Sequence, residues 1–273
     1  MIFVMNTILI DLLNTTAWRM ETPQLFGAFH ITASLLATAL AVTAAVFFAR
    51  RAVTEKGVLK ILVSAGWVLV FLEVYKQLFL YFIVNERAYD FWFFPFQLCS
   101  VPMYLCILLP FLKEKSRVAF MTFMSGYTFV SAVATLIYPE DILRSYITLT
   151  IHGFIWHGAL LFISLFVVLS GRTDSSLNSL LNAAVLFLIL SVIAIVINIA
   201  VEPVMPAIHA SHPSVAHIWA AMFYMNPFHI SPQPVISTIQ KTAGIPAGLV
   251  LYMLAIAFVS SVFIKLFKAI SRH

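Results

Sequence analysis

The stretch Phe91–Leu105 reads FWFFPFQLCSVPMYL and places polar side chains inside an apolar run. We predict a helix with Pro95 in its first turn, where the missing N–H has no intrahelical partner. Because an unpaired polar group in lipid is costly, the polar side chains of this run are expected to face a protein interior: Gln97, Cys99, Ser100 and Tyr104. The stretch therefore predicts a polar cavity within a membrane, enclosed by other helices.

The composition is that of a multi-span membrane protein. Of the 273 residues, 62% are hydrophobic and 10% are charged, whereas soluble proteins carry roughly 25% charged residues. Cys99 and Cys106 are expected on one face of the same helix, and such a pair indicates neither a disulfide framework nor a zinc site. The net charge of +5 indicates no nucleic-acid partner, because the basic residues collect at one set of connections.

The fold class predicted is all-α: one polytopic membrane domain, residues 1–273, with about seven transmembrane helices. Segments of spanning length lie at about 25–48, 58–84, 91–112, 117–138, 148–170, 179–201 and 246–268. A short interfacial helix is expected ahead of the first span, with Trp18 at headgroup level. The connection 202–245 is long enough to act as an external lid, and its segment PSVAHIWAAMFYM predicts a re-entrant or interfacial helix.

Charge bias predicts an outside N-terminus and a cytoplasmic C-terminus, because Lys and Arg collect on the inner side of a membrane. Eleven such residues flank one set of connections: Arg50, Arg51, Lys56, Lys60, Lys113, Lys115, Arg117, Arg172, Lys265, Lys268 and Arg272. Four lie on the opposite side: Arg19, Arg87, Arg144 and Lys241. The bacterial cytoplasmic membrane is the expected location.

Glu73 and Lys76 lie three residues apart in the second predicted span and so project from one helix face. Ionisable residues within spans usually mark a functional interior. The alternatives are that Lys76 extends towards the interface and that Glu73 is its structural partner.

Histidines supply the candidate acid–base groups. His152 and His157 lie five residues apart, about 140° around a helix, so they cannot share one face. His157 lies deeper in its span and is the stronger candidate general base, and His152 is a candidate for substrate binding. His30, near the outer end of the first span, contributes either to substrate binding or to helix packing.

Cys99 is a candidate nucleophile if a base lies close to its thiol. Gln97 can donate an amide N–H to a carbonyl or oxyanion, or hydrogen-bond another helix. Tyr104 is a candidate substrate contact. His209, His212 and His217 match no standard metal site, so we predict neither a metal nor another cofactor.

The combination of His30, Glu73, PFQLC at 95–99 and WHG at 156–158 resembles the YwaF-type bacterial membrane proteins, relatives of the vertebrate transmembrane protein 164 acyltransferase. The resemblance covers most of the chain. It implies a cavity open to lipid, with a histidine of the fifth span, here His157, near a nucleophile on the third. Gln97 stands where the family has histidine, and Phe96 where the vertebrate enzymes have a candidate cysteine.

These observations predict a membrane-embedded lipid acyltransferase or esterase acting on phospholipid acyl chains, with Cys99, His157, Gln97 and Glu73 as its catalytic residues. Membrane lipids are the expected partners, and the oligomeric state is left open. The alternative is a transporter or a lipid- or small-molecule-binding protein that uses Glu73 and Lys76 in the same cavity.

Overall fold

The computed structural model describes residues 2–52 and 54–270, and within them the chain is almost entirely helical. Arg272, which contributes to the predicted orientation, lies outside the described residues. An isolated antiparallel bridge joins Arg19 to Tyr146. The helices are α1 Ile2–Asn14, α2 Ala28–Arg51, α3 Glu55–Phe79, α4 Val101–Leu108, α5 Glu114–Phe123, α6 Phe129–Ile137, α7 Ile147–Leu169, α8 Leu177–Val201, α9 Met205–Ser211, α10 Pro234–Ala243 and α11 Ile245–Ile270.

Among the described residues, six helical segments are long and apolar enough to cross a membrane: Ala28–Arg51, Glu55–Val84, Glu114–Ile137, Ile147–Leu169, Leu177–Val201 and Ile245–Ala269. Two of them contain a π-helical turn, at Leu80–Val84 and at Met124–Thr128. A shorter apolar helix covers Val101–Phe111. The prediction of an all-α bundle with about seven helices is confirmed, whereas the orientation of the termini stays a prediction.

The third predicted span, 91–112, is wrong over its first ten residues. Only a 3₁₀ turn, Phe91–Phe93, precedes α4. The residue before a proline is disfavoured in helical conformation, and Phe94, before Pro95, is accordingly extended at ψ 134°. Pro102 instead lies in the first turn of α4, the place where proline is tolerated. Cys99 therefore precedes the helix that contains Cys106, and the two cysteines share no helix face.

The most buried of the spanning segments is α7, which packs against α2, α3 and α6. Gly153 lies on its first half, where an added Cβ would stand 2.5 Å from the Cβ of Ile142. The missing side chain thus lets the connection between α6 and α7 lie directly against α7. Both Gly153 and Ile142 also line the cavity described below.

The predicted helix at 213–225 is also wrong, because only a 3₁₀ turn, Met222–Tyr224, forms there. Phe223 and Tyr224 both have φ of +57°, a left-handed conformation that ends regular helix. Two amide side chains, Gln97 and Asn198, take up backbone groups that a helix would pair internally. The connection between α8 and α11 also holds the short helices α9 and α10.

Candidate functional site

A cavity of about 280 Å³ is lined by residues of α3, α6, α7, α10 and α11 and by the connections between helices. Its lining is largely aromatic and aliphatic, with a few polar groups, which is typical of small-molecule sites. Five of the eight predicted site residues line it: Lys76, Gln97, Cys99, His152 and His157.

Cys99 lies in a tight turn before α4, in which the Ser100 N–H donates to the Gln97 carbonyl at 2.8 Å. The indole N–H of Trp156 donates to the Cys99 carbonyl at 3.2 Å, so α7 fixes the backbone of this turn. The thiol of Cys99 is free. It lines the cavity together with the His157 imidazole, without a hydrogen bond between them among the described residues.

The tautomer of His157 follows from its hydrogen bond. Its Nδ1 lies 2.8 Å from the Gly153 carbonyl oxygen, and a carbonyl only accepts, so Nδ1 carries the proton. The neutral ring then has its lone pair on Nε2. A buried imidazole with an unprotonated nitrogen on a cavity has the form that a general base requires.

His152 also lines the cavity, and the expectation that the two histidines would face different surroundings is only partly right. Its Nε2 lies 2.9 Å from the Leu72 carbonyl on α3, and its ring stacks on Trp156 at a centroid separation of 5.8 Å. The cavity extends around the first half of α7, and so it reaches both ring positions despite their angular separation. Its hydrogen bond to α3 gives His152 a packing role as well.

Gln97 joins the cavity to the turn Ala221–Tyr224, hereafter the 221–224 turn. Its Oε1 accepts from the Phe223 N–H at 2.8 Å, and its Nε2 donates to the Ala221 carbonyl at 3.1 Å. The Phe223 ring stacks between Phe96 and Phe187, with centroids at 5.7 and 6.2 Å and interplanar angles of 11°. The amide of Gln97 thus supports the turn, and one Nε2–H remains for a ligand.

Asn198, near the end of α8, pairs with the same turn and was missed by sequence reasoning. Its Oδ1 accepts from the Met222 N–H at 2.7 Å, and its Nδ2 donates to the Met222 carbonyl at 3.2 Å. Its side chain is completely buried. An amide at the end of a long apolar helix was the available signal, but its partner lies 24 residues away.

Glu73 does not line the cavity but supports a residue that does. Its carboxylate accepts from the Lys76 ammonium at 2.9 Å and from the Gln77 amide at 2.7 Å, and Gln77 also donates to the Phe93 carbonyl at 2.6 Å. The Lys76 ammonium lies 5.7 Å from the centre of the Trp156 ring. This network positions Lys76 on the cavity.

The change Glu73→Gln is expected to destabilise the protein by between ~1 and ~3 kcal/mol, because it leaves the Lys76 ammonium without its carboxylate in a partly buried place. The double change Glu73→Gln with Lys76→Met should recover part of that loss. Chemical unfolding of the purified variants in detergent measures both free energies. A double variant less stable than the single one would contradict a pairing role.

His30 and Tyr104 lie outside the cavity lining. The Nδ1 of His30 accepts from the Phe26 N–H at 2.9 Å, and its Nε2 lies 3.1 Å from the Leu136 carbonyl, so both ring nitrogens are engaged. The Tyr104 hydroxyl donates to the Pro95 carbonyl at 2.6 Å. These contacts hold α2 to α6 and the chain at Pro95 to α4.

Two histidines of the long connection have partners within the protein. The Nδ1 of His209 lies 2.6 Å from the Val215 carbonyl. His217 contacts the Asp90 carboxylate at 2.7 Å and stacks on Trp92 with centroids 4.5 Å apart. Within residues 2–52 and 54–270, no group of three or more His, Cys, Asp or Glu side chains is arranged to hold a metal ion.

Several further polar residues line the cavity and were not assigned to it by sequence reasoning, among them Asp141, Arg144 and Tyr224. The Tyr224 hydroxyl donates to Asp141 Oδ2. Burial, and then the neighbouring Asp141 carboxylate, raise the pKa of Tyr224 well above its usual value. Tyr224 therefore remains a protonated donor at neutral pH. In the sequence, Asp141 and Arg144 look like ordinary loop charges.

The bundle and its cavity define a multi-pass integral membrane protein with a polar interior site. A family model of the TMEM164 family matches residues 25–267, and the chain belongs to this family. The predicted kinship with transmembrane protein 164 is thereby confirmed, and the match is compatible with the YwaF-type resemblance. Comparisons with curated proteins and with solved structures gave no match.

Proposed function

We propose that the protein is an intramembrane lipid-acyl enzyme, a transferase or a hydrolase, with Cys99 as nucleophile and His157 as general base. One observation carries this proposal: a single cavity is lined by a free thiol and by an imidazole whose Nδ1 is bound to a backbone carbonyl, which leaves Nε2 as the acceptor of the neutral ring. A thiol and a base on one cavity form the pairing that nucleophilic acyl transfer needs. Apo sites often hold such pairs apart until a substrate binds.

The proposed reaction has two steps. The Cys99 thiol gives its proton to His157 Nε2 and attacks the carbonyl carbon of a lipid ester, and the lipid alcohol leaves with that proton. The product is an acyl thioester on Cys99. An acceptor alcohol or water, deprotonated by the same nitrogen, then attacks the thioester, and the proton returns to the thiol.

Two side chains support this chemistry in the proposal. The remaining Nε2–H of Gln97 donates to the developing oxyanion, since preorganised donors stabilise such charge. Glu73 fixes Lys76, which places a positive charge on the cavity. The apolar remainder of the lining suits an acyl chain taken from the bilayer.

Lys76 also favours a second candidate function. It lines the cavity while paired with Glu73, and intramembrane ion pairs commonly serve substrate or proton binding. A transporter or a binding protein would use the same cavity without covalent chemistry.

A lipid comparison by mass spectrometry tests the proposal. Cells that lack the protein are complemented with wild type, with Cys99→Ala or with Glu73→Gln, and their phospholipid acyl composition is measured. We expect wild type, but not Cys99→Ala, to restore a changed composition.

Equal restoration by Cys99→Ala would exclude the thiol as nucleophile. Identical lipids in every strain would favour the binding or transport function. In that case Glu73 becomes the residue to pursue, because its carboxylate is paired with Lys76, which lines the cavity.

A further inference from the structure

Arg144 lies in the connection between α6 and α7 and lines the cavity. Its guanidinium carbon stands 4.7 Å from the centre of the Phe93 ring, so an aromatic face supports the flat group from one side. Among the described residues, no carboxylate lies within 4 Å of it. The guanidinium thus meets the cavity without a salt-bridge partner.

The backbone of Arg144 is held from α7 by a single side chain. The Arg144 N–H donates to Thr150 Oγ1 at 2.9 Å, and the Thr150 hydroxyl donates to the Arg144 carbonyl at 3.2 Å. Thr150 is completely buried. Both backbone groups of Arg144 are therefore fixed, and so is the point from which the guanidinium extends.

The other charged groups lining the cavity already have close partners. Lys76 is paired with Glu73 at 2.9 Å, and Asp141 accepts the Tyr224 hydroxyl. Asp141 and Asp90 act on Arg144 through space, but neither forms a salt bridge with it. A ligand that brings its own anion would complete the charge balance at Arg144.

We propose that Arg144 binds the phosphate group of a lipid whose apolar part occupies the rest of the cavity. A guanidinium matches phosphate with two parallel hydrogen bonds and tolerates partial desolvation better than an ammonium. In this proposal the headgroup lies beside Arg144 and the ester lies near Cys99 and His157, because all three residues line the same cavity. The volume of about 280 Å³ lies just below the roughly 300–1,000 Å³ of small-molecule pockets, so the cavity would hold the headgroup, the ester and only the first part of an acyl chain.

The identity of the ligand as a lipid rests on the proposed function, so the test measures binding and not turnover. The full chain, carrying Cys99→Ala to prevent acyl transfer, is purified into nanodiscs. Its affinity is measured for lysophosphatidic acid and for the monoacylglycerol with the same acyl chain. Arg144→Gln is expected to weaken the affinity for lysophosphatidic acid about 10- to 100-fold, because it removes charge-assisted hydrogen bonds to the phosphate. The affinity for monoacylglycerol should stay unchanged.

Matched variants and a free anion complete the experiment. Arg87→Gln removes an exposed arginine that does not line the cavity, and it should leave both affinities unchanged. Arg144→Lys should give an intermediate loss for lysophosphatidic acid, because lysine lacks the planar fork. Competition by inorganic phosphate at the concentration of the lipid would show that the free anion is the ligand and would overturn the lipid assignment.

Equal affinity of the parent protein for the two lipids, or an equal loss for both in Arg144→Gln, would overturn the phosphate assignment. Unchanged affinity for monoacylglycerol shows that the variant is folded. Failure of the acyl chemistry leaves these binding results unaffected, so the two proposals can fail separately.

Discussion

The change Cys99→Ala is expected to abolish acyl turnover in the purified protein, and His157→Ala is expected to lower it by about 10²–10⁴-fold, the usual contribution of a general base. The first change removes the atom that would carry the acyl group, and the second removes the acceptor for its proton. Initial rates with a lipid ester in detergent, followed by release of the acyl chain, measure both effects.

Cys106→Ala is the matched control for the thiol. Cys106 is buried on α4, its Sγ lies 3.6 Å from the Met124 sulfur, and it does not line the cavity. The variant Cys106→Ala should therefore retain wild-type turnover. Normal turnover rates in both Cys99→Ala and His157→Ala would contradict the roles assigned to these residues. A loss of turnover in Cys106→Ala equal to that in Cys99→Ala would indicate a general disturbance of α4.

A clear loss of stability is expected from Asn198→Leu, which should lower the free energy of unfolding by about 1–3 kcal/mol. The change leaves the Met222 N–H buried without its partner, whereas the Met222 carbonyl still accepts from the Met225 N–H at 3.0 Å. The 221–224 turn then loses its attachment to α8. Chemical unfolding in detergent, followed by tryptophan fluorescence, measures the loss.

Asn182→Leu is the matched control, because Asn182 lies exposed on the same helix. The same substitution there should change stability by no more than about 0.5 kcal/mol, as is usual for surface positions. Equal losses in the two variants would show that the Asn198 pairing contributes nothing particular. Gln97→Leu provides a second comparison, since Gln97 pairs with the Phe223 N–H and the Ala221 carbonyl of the same turn.

Hydrophobic length and charge content were sufficient to predict the bundle, because a span needs about 20 apolar residues whatever its partners. The start of α4 was predicted at Pro95 and not at Pro102, because proline is tolerated in the first turn of a helix and this segment contains two prolines. Pro95 stands where a helix cannot continue from Phe94, and Pro102 stands where a helix begins. An apolar run alone does not distinguish these positions.

Parts of the cavity lining could be anticipated where a polar residue interrupts an apolar segment of the sequence. Lys76, Cys99 and His157 are polar residues in apolar segments and line the cavity. Asn198 was missed because its partner is a backbone segment of irregular conformation. Arg144 was counted only as a loop charge, since nothing in the sequence reveals that Thr150 holds it against α7.

Phe96, which stands where the vertebrate enzymes have a candidate cysteine, has a structural role in this chain. Its ring forms one side of the stack around Phe223, and that residue adopts a left-handed conformation that costs of order 1–3 kcal/mol. Stacking of the Phe223 ring with Phe96 and Phe187 offsets part of this cost. The position therefore contributes to the shape of the cavity through packing.

The π-helical turn Met124–Thr128 separates two half-helices with different neighbours, since α5 packs on α8 and α6 packs on α7. A π turn corresponds to one extra residue within an α-helix, and one residue rotates the following helix by about 100°. The number of residues in this turn therefore determines which face of α6 lines the cavity, the face that includes Ser131 and Thr135. Deletion of one residue from this turn would leave the sequence of α6 unchanged, but a different face of α6 would line the cavity.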